Sequence, residues 1–292
     1  MIEKTIDIVI PSFNGKYLLE RHLPEVIKYS HGAGIIVVDD GSTDGTCEYL
    51  QEKFPQVICL HHSKNLGFSK SMNIGIKSSK ADYIVFLNND IAPQKDYLIN
   101  SLKYFSDKNL FGVSFNEENS SWPEATWHTG KFQFVRGEDK SAPHYSGWLS
   151  GGSAIVRRDI LNNLHGFNEI YSPGYWEDID LGWRAWKKGY KILWIPDSHV
   201  IHHHESSFKK LNPNFVSTIK QRNELLFIWQ NFSEKRFTSS HLKFLLTYPL
   251  KHPRYLKIIF LALLEYLSKG KKEKGILTDS QVFDLLNKPY AD

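Results

Sequence analysis

The sequence predicts an α/β fold on a mostly parallel central sheet, and three observations predict it. Short runs rich in Ile, Val and Phe, at Ile6–Ile10, Ile35–Val38, Val57–Leu60, Tyr83–Leu87 and Phe111–Phe115, have the length and content of buried strands. Segments with helical spacing, Lys16–Ser30, Asp44–Lys53, Ser69–Ser79 and Gln94–Phe105, fall between them, and this alternation implies a sheet covered on both faces. Polar groups follow three of the runs directly: Ser12-Phe13-Asn14, Asp39-Asp40 and Asn88-Asn89-Asp90. In such sheets ligands bind beyond the carboxyl ends of the strands, so these groups share one rim.

After the fifth run the pattern dissolves, and residues 116–147 read as an insertion with short strands. Order returns with a strand at Ser153–Val156, a helix at Arg158–Leu164, a helix opened by Glu177-Asp178 and ended near Gly189, and a strand at Lys191–Ile195. Beyond about Asn212 the chain reads as helical almost to its end. No repeat, low-complexity tract or flexible linker interrupts it, so residues 1–230 form a catalytic domain and 231–292 a helical extension.

Composition limits the function classes. A chain of 292 residues, 41% apolar and 14% aromatic, has ample material for a core, which excludes disorder. Cys47 and Cys59 lack metal-type spacing, and two cysteines make no disulfide framework, so a reducing compartment is expected. The segment from Met1 to Asp7 is acidic and has too short an apolar run for a signal peptide, which implies a cytoplasmic location.

The net charge of +4 is uneven: residues 235–275 hold ten Lys or Arg against Glu265 and Glu273, and the rest of the chain sums to −4. The apolar stretch Ile258–Leu264 inside that segment is far below the ~20 residues that cross a bilayer. Basic residues around an apolar helix suit either an anionic membrane surface or a core helix with a solvated rim. Nucleic acid is a poor fit, because the positive block carries no interleaved aromatics and no recognised signature.

Chemistry concentrates in three places. In Val37-Val38-Asp39-Asp40-Gly41-Ser42-Thr43-Asp44, a carboxylate at the strand end can accept the imide N–H of a uracil or thymine, a charge-assisted bond of roughly 1.5–3 kcal/mol. The alternative is that both aspartates only close the turn, with Ser42 or Asp44 capping the next helix. No Gly-x-Gly-x-x-Gly stands at the first strand-helix junction, which argues against a dinucleotide site.

Asp90 ends another strand as a candidate ligand for Mg²⁺ or Mn²⁺. His202 is the candidate second ligand, since imidazole suits Mn²⁺-like ions better than Mg²⁺. If the run is extended, His202 and His204 share a face and His203 points away. Glu177, Asp178 and Asp180 cluster at a helix start, where the dipole favours negative charge. Asp180 can pair with Arg184 one turn on, which accounts for one carboxylate and leaves two. A carboxylate beside a sugar can take a proton from an attacking hydroxyl. Trp176 offers a face for a sugar ring, whereas Trp183 and Trp186 read as core.

Together, Val9-Ile10-Pro11-Ser12-Phe13-Asn14, Asp39-Asp40-Gly41-Ser42-Thr43-Asp44, Asn65-Leu66-Gly67-Phe68, Asn73-Ile74-Gly75, Asn88-Asn89-Asp90, Ser150-Gly151-Gly152 before Arg157-Arg158, Gly166-Phe167-Asn168-Glu169 and Glu177-Asp178-x-Asp180-Leu181-x-x-Arg184 resemble a GT-A glycosyltransferase of family 2. Within it the chain is similar to bacterial rhamnosyltransferases that build surface polysaccharide, over roughly residues 5–230.

The resemblance implies a GT-A fold with a Rossmann-like nucleotide-binding half. It implies inverting transfer from a nucleotide-diphosphate sugar, dTDP-rhamnose or a UDP-sugar, to a lipid-linked saccharide. By matching positions, Pro11, Asn14 and Asp40 would hold base and ribose, with Asn65, Gly67 and Asn73 lining the nucleotide pocket and Asn88 and Asn89 beside it. Asp90 would bind Mn²⁺ or Mg²⁺, Gly151 and Gly152 would let backbone approach the sugar, and Glu177 and Asp178 would face the acceptor, with Asp178 as base. Many relatives carry Asp where Asn88 stands, which weakens the ribose or metal contact expected there. The family's C-terminal helices often touch membrane, which favours the membrane reading of the basic segment and a peripheral place on the inner face.

A sugar-1-phosphate nucleotidyltransferase would share the sheet but place a Gly-rich, Arg-bearing loop after the first strand. Pro11-Ser12-Phe13-Asn14-Gly15-Lys16 does not match it. A membrane-surface binding module of the same fold without turnover is the non-enzymatic alternative.

Overall fold

The computed structural model describes residues 4–118, 121–204, 212–272 and 274–290, so the expectations for Met1, Ile2, Glu3 and Glu273 lie outside the described residues. In chain order the elements begin β1 (Ile6–Ser12), α1 (Lys16–Tyr29), β2 (Gly34–Asp39), α2 (Thr46–Lys53), β3 (Ile58–His61), α3 (Phe68–Ser78) and β4 (Tyr83–Leu87). They continue with β5 (Ile91–Pro93), α4 (Tyr97–Leu102), β6 (Leu110–Glu117), the hairpin β7 (Pro123–His128) and β8 (Lys131–Arg136), β9 (His144–Tyr145), β10 (Ser153–Arg157) and α5 (Arg158–Asn163). The chain closes with α6 (Glu177–Lys187), β11 (Lys191–His202), α7 (Pro213–Asn231), α8 (Lys235–Lys251), α9 (Tyr255–Lys269) and α10 (Asp279–Leu286).

The central sheet runs β3-β2-β1-β4-β10-β6-β11-β5, with β9 beside β11. Its first four strands are parallel, as the alternation of strand and helix requires. β10 enters between β4 and β6 antiparallel to both, and β11 lies parallel to β6. The carboxyl ends of β1, β2, β4, β6 and β11 therefore share one edge with the start of β10. Residues 150–152 reach that edge because they lead into a reversed strand.

One apolar layer, including Val9, Val38, Phe86 and Trp183, packs under α3, α5, α6 and the C-terminal helices. The other, with Ile8, Val37, Val85 and Leu98, packs under α1 and α4. Every β4 side chain is buried, so the strand reads as an unbroken apolar run. The helix expected at Gln94–Phe105 is shorter, Tyr97–Leu102 followed by a 3-10 turn. The short strands expected in the insertion are the β7-β8 hairpin and β9.

Two expectations need correction. Cys47 and Cys59 are disulfide-bonded, with Cα atoms 5.8 Å apart. Their sequence spacing hides this, because α2 packs back on β3 and brings the two Cα atoms within bonding range. Neither Ser42 nor Asp44 caps α2: Ser42 Oγ accepts from Asn14 N (2.8 Å), and Asp44 Oδ2 accepts from Lys16 N (3.0 Å) at the start of α1. After residue 230, Phe232, Phe237, Phe283 and Leu286 join the layer that holds Trp183.

Candidate glycosyltransferase site

At the β1-β2 end of the rim, two loops are zipped together. Asn14, at φ 48°, accepts from Thr43 N through Oδ1 (2.9 Å) while its own N–H goes to Ser42. Asp39 closes its own turn by accepting from Ser42 N (3.1 Å) and meets His61 Nδ1 at 3.0 Å. Asp40 reaches further: its carboxylate accepts from Leu66 N (2.7 Å) and Gly67 N (2.9 Å) and meets His62 Nδ1 at 3.1 Å. Asp40 thus fixes the loop that carries Asn65 and Gly67. Gly67 has φ 88°, and a Cβ there would press on Ser172 and Pro173, so the residue suits both the turn and the close approach. Pro11 stands one residue before the end of β1, paired with Val38.

At the middle of the rim, Asn88 N donates to Gly152 O (2.9 Å), and a Cβ on Gly152 would collide with the Asn88 side chain. Asn89 Nδ2 donates to Ser12 Oγ (3.1 Å), which ties the β4 end to the β1 end. On the other side of the same Gly-Gly step, a Cβ on Gly151 would stand 3.3 Å from Asp178 Cβ. Gly151 thereby joins the candidate base to the strand end that carries Asp90.

Asp178 is half-buried at the first turn of α6, and its Oδ1 accepts from Ile179 N (2.8 Å). Burial pushes its carboxyl up to about 6, against the backbone N–H groups of Ile179, Asp178 and Gly151 that favour the anion. Glu177 is buried, and burial followed by the charge of Asp178 pushes it up further, to about 8. Its Oε2 has no hydrogen-bond partner. Asp180 pairs with Arg184 Nε (2.7 Å) and accepts from Tyr171 Oη (2.9 Å), so the structural pairing foreseen for it holds. Trp176, at φ 79°, turns its half-buried ring between Phe132 and Phe227. Trp183 and Trp186 are core.

At the β6-β11 end, His202 stands between two carboxylates. Its Nε2 lies 3.2 Å from Asp90 Oδ1 and its Nδ1 3.0 Å from Glu117 Oε2. Burial disfavours a charged ring, but Asp90 and Glu117 outweigh it and push His202 up to about 9. Burial works in the opposite sense on Glu117, and His202, Ser153 and Ser150 hold its carboxyl below the usual range. Glu117, His202 and His204 offer donor atoms that all lie within 4.8 Å of one another. The rings of His202 and His204 are 4.0 Å apart, while His203 turns away and stacks on His22 at 4.5 Å. Buried carboxylate oxygens around an imidazole nitrogen fit a Mn²⁺-like cation.

Asn73 lies within α3. Its Oδ1 accepts from Phe167 N (2.9 Å) and its Nδ2 donates to Phe167 O (2.8 Å), so its amide holds the Gly166–Glu169 turn beside a cavity of about 360 Å³.

The model of the family described as "Glycosyl transferase family 2" matches residues 7–164, more than half of the 292 residues. The chain belongs to this family. A model described as "Glycosyl transferase family group 2" matches residues 113–268. Glycosyl transfer is accordingly its activity. The chain is 27% identical over 223 residues to N-acetylglucosaminyl-diphospho-decaprenol L-rhamnosyltransferase of Mycobacterium tuberculosis, a match that covers 63% of this chain and 71% of that one. It is 28% identical over 232 residues to glycosyltransferase GlyG of Streptococcus pneumoniae serotype 4, covering 70% and 72%. Among solved structures, the mannosyltransferase PcManGT from Pyrobaculum calidifontis in complex with GDP-Man and Mn²⁺ superposes with TM-score 0.58 at 18% identity, covering 92% of this chain and 76% of that one. That likeness shows the GT-A fold.

Glu117 escaped the sequence reading. The signal was present: a carboxylate two or three residues beyond an apolar run, the pattern that singled out Asp40 and Asp90. Ending the strand at Phe115 put Glu117 into the irregular insertion, whereas β6 continues to it.

Proposed function

We propose that this glycosyltransferase moves a sugar from a nucleotide-diphosphate donor, dTDP-rhamnose or a UDP-sugar, to a hydroxyl of a lipid-linked saccharide, with inversion at the anomeric carbon. The observation that carries the proposal is the Gly151-Gly152 step, which has Asp178 on one side and the Asn88–Asp90 strand end on the other. The name of the mycobacterial relative supports a rhamnosyl donor and a lipid-linked acceptor.

In this reading Asn14, with the loop organised by Asp40, receives base and ribose, while Asn65, Gly67 and Asn89 border the nucleotide. Asp178 accepts the proton of the attacking hydroxyl as the new C–O bond forms and the bond to the diphosphate breaks on the opposite face. A carboxyl raised above its ordinary range binds that proton more strongly, which suits a general base. Asp90 and His202 would hold the divalent cation, which when bound neutralises charge on the departing diphosphate. Glu177 borders the acceptor, and α8 and α9 would rest on the anionic membrane that carries it. The GDP-Man and Mn²⁺ named for the mannosyltransferase structure support a nucleotide-sugar donor and a cation of this class.

The test is a thermal-shift panel of nucleotide sugars with and without Mn²⁺, followed by donor hydrolysis without acceptor. A ligand selective for the folded chain raises its melting temperature. A selective rise for one nucleotide sugar together with slow release of its sugar is expected. A chain that binds donor but never releases sugar would be a binding module instead.

A further inference from the structure

Glu117 ends β6 next to the end of β11, with a side chain only 14% exposed. Both of its oxygens are engaged. Oε2 meets His202 Nδ1 at 3.0 Å, while Oε1 accepts from Ser150 Oγ (3.1 Å) and Ser153 Oγ (2.5 Å). The opposite ring nitrogen, Nε2, faces Asp90 Oδ1 at 3.2 Å. An imidazole that donates Nδ1–H to a carboxylate is fixed in the tautomer whose Nε2 lone pair can take a metal, and its basicity rises.

We propose that Glu117 is a positioning residue, whose carboxylate holds the His202 ring with Nε2 toward Asp90 so that these two side chains present ready-made donors to the cation. The inference rests on the cation reading of Asp90 and His202. In the proposal Glu117 acts through His202: one of its oxygens meets the ring and the other accepts from two serines. Those serines flank Gly151 and Gly152, so the same carboxylate also anchors the loop beside Asp178.

The experiment is Mn²⁺ binding to the chain without nucleotide, followed by the electron paramagnetic resonance signal of unbound Mn²⁺. Losing such a partner typically weakens metal binding 10–100-fold. Glu117→Ala is expected to weaken Mn²⁺ binding by that factor. In a His202→Ala background the same change should alter affinity less than about twofold, because the ring through which it acts is gone. Glu117→Gln keeps the shape and a neutral acceptor for Nδ1–H, and is expected to bind Mn²⁺ more weakly than the unaltered chain but better than Glu117→Ala. Should Glu117→Ala not fold, Glu117→Gln decides.

Affinity unchanged in both Glu117 variants would overturn the proposal and leave the cation reading standing. A further loss of tenfold or more in the His202→Ala background would also overturn it, by making Glu117 a direct ligand. An unaltered chain that binds no Mn²⁺ removes the cation reading itself, and the positioning role with it.

Discussion

Two adjacent carboxyl groups, Glu177 and Asp178, are held at the same helix start yet face different demands. Asp178, half-buried beside Gly151, is the proposed base. Asp178→Asn should keep donor affinity and lower kcat by about 10²–10⁴-fold, the usual worth of a positioned base. Isothermal titration with donor and steady-state turnover separate the two effects, and normal turnover would remove Asp178 from the role. Its carboxyl is raised toward about 6, so kcat/KM should rise with pH through that region. The midpoint belongs to the Glu177–Asp178 pair, not to either residue alone.

Glu177 makes a second residue-scale prediction, on stability. Its folded-state carboxyl, raised to about 8, keeps a proton that the unfolded chain releases in the ordinary carboxylate range. The folded state then binds more protons, so stability falls as pH rises between those limits. Glu177→Gln removes this dependence, and its melting temperature should gain on that of the unaltered chain as pH is raised from 5 to about 8. Equal melting curves across that range would contradict the buried, raised carboxyl. At this scale the motifs marked polar residues at strand ends, as for Asp90 and His202, and at a helix start, as for Asp178. The sequence was silent on which atoms are already spoken for, as with Asp40 on the Leu66-Gly67 loop and Asn73 on Phe167, because hydrogen bonds across 26 or 94 residues leave no local trace.

Elements depend on one another through a few buried polar clamps. Asp279, wholly buried at the first turn of α10, accepts from Lys187 Nζ (2.6 Å) at the end of α6 and from Ser233 N (2.8 Å) and Glu234 N (2.9 Å) ahead of α8. Glu234 answers by accepting from Ser280 N and Oγ. The helix that carries Glu177 and Asp178 is thus fixed by the C-terminal helices. Removing one partner of a buried ion pair costs about 3–5 kcal/mol, since the other charge stays uncompensated. Asp279→Ala should lower the unfolding free energy by that order in urea titrations, and a change below 1 kcal/mol would show that Lys187 finds water instead. The helical nature of this region was legible from its spacing. Its return into the core was not, because Phe232 and Phe283 meet Trp183, and Phe237 meets Phe283, only through tertiary packing.

At the scale of the whole molecule, the strand-helix alternation was enough to set the parallel half of the sheet and its functional rim, while the reversed strand β10 and the Cys47–Cys59 bond depend on tertiary proximity. The basic C-terminal block was also visible, and the fold adds its geometry. Leu242, Leu246 and Leu250 are exposed on one stripe of α8, four residues apart. Leu256, Phe260, Leu263, Leu264 and Leu267 are exposed along α9. Phe244 and Tyr248 pack on Tyr255, which joins the two helices. No helix among the described residues is long and apolar enough to cross a membrane.

Apolar stripes among Lys243, Lys251, Arg254, Lys257 and Lys269 suit shallow insertion into an anionic leaflet, where each nearby cation adds about 1 kcal/mol. The chain should sediment with vesicles containing phosphatidylglycerol and far less with pure phosphatidylcholine, and salt should weaken the attraction by screening. Leu246→Glu combined with Leu267→Glu should abolish sedimentation yet leave turnover on a water-soluble acceptor intact, since neither side chain belongs to the rim. Vesicle binding that survives both substitutions would assign the membrane contact to another surface and detach the proposed lipid-linked acceptor from this end of the molecule.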